Sequence, residues 1–183
     1  MQEERLRPEP EPSRIPLEDV DRAKVTGWAG EHWDAVFAML YRLCGNRHEA
    51  EDLTQETFLR AGSRHASFEG GTNIRAWLMR IAVNAHVDGR RRRRVARTDL
   101  LEDAPSPVPD PGDRVAGDEL ARAIEAALTE LPETARIVFL LRTRESMSFA
   151  EIAVVIETSE ATARWHMLQA RRELLKRLQD FSD

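Results

Sequence analysis

The chain has 183 residues, 42% of them hydrophobic and 32% charged, with a formal net charge of −5. The hydrophobic share fits a folded globular chain, the charged share exceeds the usual ~25%, and the length allows one domain or two small ones. The single cysteine, Cys44, excludes an internal disulfide framework and a thiolate zinc cluster. The longest apolar runs, Ile137–Leu141 and Ala153–Ile156, fall far short of the ~20 residues a membrane span needs.

Residues 1–27 carry Pro8, Pro10, Pro12 and Pro16 among many charges and read as a mostly disordered tail. Its acidic start, without the basic and apolar parts of a signal peptide, points to a soluble cytoplasmic protein. Trp33, Val36, Phe37, Leu40, Leu43 and Cys44 recur at three and four, one face of a helix that stops at Gly45-Asn46. A second helix is expected from about His48 to Arg64, with Ala50, Leu53, Thr54, Thr57, Phe58 and Ala61 inward. Asp52, Gln55, Glu56 and Leu59 line its other side, where a leucine among acids suggests a protein-docking face. After the loop Glu69-Gly70-Gly71, Asn73 can cap a third helix from Ile74 to about Arg92. Its inner stripe is Ile74, Trp77, Leu78, Ile81, Ala82 and Ala85, and Arg80, Asn84, Asp88 and Arg91 share another face.

Ala104–Gly112 holds four prolines in nine residues and cannot be helical; it reads as a semi-stiff linker. Beyond it, Asp118 is a plausible cap for a helix with Leu120, Ile124, Ala127, Leu128 and Leu131 inward. Pro132 suits the first turn of the next helix, which carries Ile137, Val138, Leu140 and Leu141. Ser148 and Glu151 form a capping box for a helix of about two turns. Glu157-Thr158 is a break, and Ser159 caps a long last helix with Ala163, Met167, Ala170, Leu174, Leu175 and Leu178 inward. Strand patterns are almost absent, so the fold class is all-α.

The overall acidity hides opposed blocks. Between Arg75 and Arg97, eight arginines face one acid, Asp88, whereas between Asp99 and Glu119 seven acids face only Arg114. Such blocks suit different partners for different segments. The short helix, tight break and basic helix over 148–178 have the shape of a helix-turn-helix. Arg164 and Gln169 are types that make bidentate contacts to purine edges, while Arg171 and Arg172 suit phosphates. Catalysis finds no support: His32, His48, His65, His86 and His166 show no metal-ligand spacing, there is no glycine-rich phosphate loop, and Cys44 lies on a buried stripe without an evident base. No cofactor and no metal are expected.

Three segments, Ala50–Arg60, Phe68–Arg94 and Leu131–Leu178, together resemble a bacterial extracytoplasmic-function sigma factor. The resemblance implies two small helical domains: a region 2 domain over 28–97 and a region 4 domain over 118–183, joined by a flexible acidic linker over 98–117. It implies that Asp52, Gln55, Glu56 and Leu59 dock on core RNA polymerase. It also implies that Asn73, Arg75, Arg80, Asn84, Asp88, Arg90 and Arg91 open and read the −10 element as a single strand. Ser159, Thr162, Arg164, Trp165, His166, Gln169, Arg171 and Arg172 would then lie on the helix reading the −35 element as duplex. An anti-sigma partner is implied as well, and the acidic linker could fold back on the basic helices. Family members commonly have glycine in the helix-turn-helix break, where this chain has Glu157, and a small or polar residue where it has Trp165. The alternative is a stand-alone helix-turn-helix regulator of duplex DNA, which would need neither the acidic docking helix nor the basic one after it.

Overall fold

The structure is a computed structural model that describes residues 21–68, 73–100 and 119–179, and among them every regular element is helical. Helix α1 spans Arg22–Cys44, α2 Arg47–Ser63 and α3 Ile74–Leu100, with a short 3-10 turn at His65–Ser67. Helices α4 (Glu119–Thr129), α5 (Glu133–Thr143), α6 (Phe149–Val155) and α7 (Glu160–Gln179) form the second module.

Local chemistry sets the boundaries. Asp21 accepts from the Lys24 amide, so α1 begins inside the segment expected as tail, and Val25, Trp28 and Ala29 extend its apolar face. Gly45 ends α1 with φ 68°, a left-handed conformation open to glycine at little cost, and donates to the Tyr41 carbonyl at 2.8 Å. Asn46 caps α2 through the Glu49 amide, which makes α1 and α2 a tight hairpin. The buried hydroxyls of Thr54 and Thr57 donate to the carbonyls of Ala50 (2.6 Å) and Leu53 (2.7 Å), so they add no unmet polar group to the core. Asn73 receives the amides of Arg75 and Ala76 as expected. The third helix runs to Leu100 rather than about Arg92, into the segment assigned to the linker; arginine is a good helix former and nothing in that run breaks the ladder. Pro132 stands just ahead of α5, at its cap position, rather than in its first turn. The capping box of Ser148 and Glu151 is present, and Ser159 accepts from the Thr162 amide at 3.1 Å.

The expected inward stripes of α1 and α2 are buried or half-buried. On α3 the burial is wider. Met79, Val83 and His86, none of them on the expected stripe, are also buried, because α6 packs along a second side of α3 and α5 reaches α1. The apolar core therefore passes without a break from Val36, Leu40 and Leu78 to Val138, Leu141, Ile152 and Met167. Each fully buried side chain of that size stabilises by about 1.5–3 kcal/mol relative to exposure. A smaller cluster of Ala127, Leu131, Ala135, Ala170 and Leu174 ties α4 to α7. Leu175, expected inward, is 63% exposed: Ala163, Met167, Ala170 and Leu174 already complete the buried stripe, and the next residue along points about 100° away. The Pro-rich linker, the Gly70-Gly71 loop, Asp118 and residues 1–20 lie outside the described residues.

Candidate nucleic-acid interface

Three faces carry the expected site residues. On α2, Asp52 and Gln55 are exposed, and Glu56 and Leu59 are half-buried beside them. This face is not free of internal ties. Arg60 holds Glu56 with one amino group and approaches Asp88 of α3 at 3.7 Å with the other.

The face of α3 is more heavily occupied. Asn73 donates to Glu151 at 2.7 Å. Arg75 donates through Nε to Glu145 at 3.0 Å and through Nη2 to the same oxygen. Arg80 donates to Glu157 through Nη2 at 2.8 Å and Nε at 3.3 Å, and Asn84 reaches the same oxygen at 3.5 Å. Arg90 lies 3.4 Å from Glu133, whose Oε1 is also 3.1 Å from His86 Nε2. Asn73, Arg75, Arg80, Asn84 and Arg90, five of the residues expected to meet the −10 strand, thus share one surface, and four acids of the second module face them. Arg91 is exposed, as is Asp88 on the opposite margin. Trp77, expected in the core, joins Trp28 and Phe68 in an aromatic cluster with centroids 5.3–6.2 Å apart.

These contacts move the carboxyls. The Arg80 guanidinium, by hydrogen bond and then by charge, holds Glu157 below the ordinary glutamate range. Glu133 is held low chiefly by the close approach of His86, with Arg90 and Arg136 adding to it against its burial. Glu151 is low mainly because the Ser148 amide donates to it, with Asn73 second.

On α7, Ser159 and Thr162 are engaged in the cap. Arg164 is held by Glu160 and lies 4.7 Å over the Phe149 ring, so it is pre-positioned rather than free. Trp165 is 57% exposed and meets the half-buried His166 edge-on at 4.9 Å. Gln169 is half-buried, whereas Arg171 and Arg172 are exposed. Leu168, absent from the expected set, is exposed between them and lines a shallow depression with Trp165, Gln169, Arg172 and Glu173.

The structure corrects the isolation of Cys44. Its Sγ lies 3.5 Å from His86 Nδ1, and Cys44, Glu49 and His86 bring three potential metal ligands within 4.8 Å of one another. Burial, reinforced by Glu49, pushes the thiol up to about 12, so it stays protonated and is a poor nucleophile. Glu49 is already paired with Arg93. The base could not be seen in the sequence because His86 lies 42 residues further on.

An acidic face on α2, a basic face on α3 and a helix-turn-helix on one all-α chain are the features of a two-part promoter-recognition factor. The Sigma-70 region 2 family matches residues 28–95, and the Sigma-70 region 4 family matches 121–174. The ECF RNA polymerase sigma factor SigE of Mycolicibacterium smegmatis is 34% identical over 178 residues, covering 92% of this chain and 69% of that protein. SigW of Bacillus subtilis, also an ECF RNA polymerase sigma factor, is 32% identical over 158 residues, covering 80% of this chain and 84% of that one. The chain belongs to the ECF sigma factors, the transcription-initiation subunits that bind core RNA polymerase and direct it to promoters. The stand-alone regulator is not favoured. The fold agrees with the sigma factor RpoE of Bartonella quintana, solved with the anti-sigma factor NepR (TM-score 0.73, 24% identity, 85% of this chain and 97% of that one). It agrees also with CnrH, solved with the cytosolic domain of CnrY (TM-score 0.64, 24% identity, 87% and 90%). Among the described residues no helix is long and apolar enough to cross a membrane.

Proposed function

We propose that the three faces divide the work of initiation. Asp52, Gln55, Glu56 and Leu59 of α2 dock on core polymerase. The α3 face of Asn73, Arg75, Arg80, Asn84, Arg90 and Arg91, flanked by Asp88, takes the −10 element as a single strand. The α7 face, with Arg164, Trp165, Gln169, Arg171 and Arg172, enters the −35 major groove. The domains divide as 28–97 and 118–183, and an anti-sigma partner holds the cytoplasmic factor in reserve. The chain contributes positioning and charge rather than covalent chemistry.

The observation that carries this reading is the convergence of amide and guanidinium donors on one side of α3. Arg80 and Asn84 already grip a carboxylate oxygen together, and the same pair suits the edge of an extracted base with its phosphate. Extraction costs a few kcal/mol of unstacking and unpairing, least for a base already unpaired. Reconstitution with bacterial core polymerase tests it. Asn84→Ala should slow open-complex formation on a duplex promoter more than on one with a pre-melted −10 bubble, and should alter preference at one base. Arg91→Ala should weaken binding without changing that preference. Unchanged opening and unchanged preference in Asn84→Ala would remove this residue from the site.

A further inference from the structure

We infer that Glu157 is an internal plug for the −10 face: in the isolated chain it sits where nucleic acid must sit, and it leaves only when the two modules part. The inference rests on the proposed role of the α3 face and adds how that face is kept closed.

Glu157 lies in the turn between α6 and α7 with φ 53°, in the left-handed region. A side chain there costs conformational energy that glycine would avoid. Packing does not account for the residue, since its side chain is 57% exposed. Its carboxylate is what the fold uses. One oxygen receives both forks of Arg80 and the amide of Asn84, a donor set equally suited to a phosphate oxygen. The turn itself is held at its base by the Thr158 amide on the Ala153 carbonyl at 2.9 Å, so the carboxylate is presented from a fixed hinge. Nor does it act alone. Glu151 meets Asn73, Glu145 meets Arg75, and Glu133 meets Arg90. A row of four acids along α3 presents negative charge where a strand would present phosphates. The other left-handed side chain among the described residues, Ser146 at φ 54°, immediately follows one of those acids. The strained positions of the second module therefore coincide with the contact. The acidic linker expected to fold back on the basic helices lies outside the described residues; the acids seen against α3 come from the second module.

The test is the affinity of the full free chain for a short fluorescein-labelled A/T-rich single strand at low salt, read by anisotropy. Glycine suits the backbone at 157, so Glu157→Gly should fold with undiminished thermal stability. It should bind the strand about two- to fivefold more tightly, the range for loss of one exposed ion pair. Adding Glu145→Gln should raise the gain to about tenfold, because Glu145 is buried and its pair with Arg75 is better shielded. The exposed Glu125→Gln on α4 removes the same charge at a distance and should give less than half the effect of Glu157→Gly. If Glu157→Gly and Glu125→Gln gain equally, or neither gains, the plug is refuted. Placing Arg80→Ala in the Glu157→Gly background separates the two claims. Loss of the gained affinity supports both. A gain that survives Arg80→Ala overturns the reading of the α3 face. A native affinity that falls with Arg80→Ala but never rises with Glu157→Gly leaves that reading standing and overturns the plug.

Discussion

Arg136 offers the sharpest test of what holds the modules together. It lies on α5, only 7% exposed, and its Nη2 donates to the Leu43 carbonyl at 2.7 Å. Leu43 is in the last turn of α1, where carbonyls lack intrahelical partners and the helix dipole is negative. The guanidinium thus caps a helix of the other module. Burial and the neighbouring Arg90 oppose its charge, and Glu133 supports it. Arg136→Met keeps the aliphatic stem and removes the donor. Leaving a buried acceptor unmet costs about 1–3 kcal/mol, which corresponds to about 5–150-fold in the open-to-closed ratio. Dyes at Gln55→Cys and Lys176→Cys, both exposed positions, would report that ratio by single-molecule energy transfer; the native Cys44 thiol is too buried and too weakly acidic to compete for label. Arg142→Met is the control, because Arg142 bonds the Met147 carbonyl and covers Phe149 within its own module. A native distribution in Arg136→Met, or an equal shift in Arg142→Met, would refute the assignment of closure to this contact.

Reversing Asp52 and Glu56 to lysine should weaken competition for core polymerase and change chemical-denaturation stability by less than about 1 kcal/mol for these surface groups, with the larger share from Glu56, which loses Arg60. Arg171→Ala should weaken duplex binding to matched and scrambled −35 sites alike and lower the salt slope by about one unit, whereas Arg164→Ala should weaken the matched site by about 1–3 kcal/mol and relax one position; equal effects of Arg164→Ala on both sites would count against base reading. Acid should open the modules. Glu133, facing His86, Arg90 and Arg136, and Glu157, facing Arg80 and Asn84, are held below their ordinary values only while closed, so their contribution is complete above the ordinary glutamate value of ~4.3 and is lost as pH falls through the lowered values. Small-angle scattering should show expansion beginning below that value, and expansion already complete near neutrality would contradict it. Phe58→Ala, which removes a buried ring stacked on Trp33 with centroids at 5.6 Å, should cost about 3–5 kcal/mol in denaturant unfolding.

What the sequence made legible was local. Asn73, Ser148, Glu151 and Ser159 announce helix starts through side-chain chemistry that acts over three residues, and each caps as expected. The stripes of α1 and α2 follow from period alone. The burial of Met79, Val83 and His86 was not legible, because a second module covers them and no periodicity in α3 encodes that contact. The early start of α1 was hidden by the prolines nearby, although Asp21 and the spacing of Val25, Trp28 and Ala29 carry the signal. The partners of the α3 donors were hidden too. Glu133, Glu145 and Glu151 look like ordinary surface acids in sequence, and only the missing glycine at 157 marked the place.

The continuous core has a consequence for dosage. A chain that must part its modules before it can be used binds any partner of the parted form in proportion to the fraction already parted, so one open about one time in ten binds about tenfold more weakly. On the proposed closure, the concentration at which this factor captures polymerase is set partly by contacts that touch neither polymerase nor promoter, among them the bond from Arg136 to the end of α1. Substitutions at the seam between modules can retune the expression level at which the regulon switches on, while leaving every promoter contact unchanged.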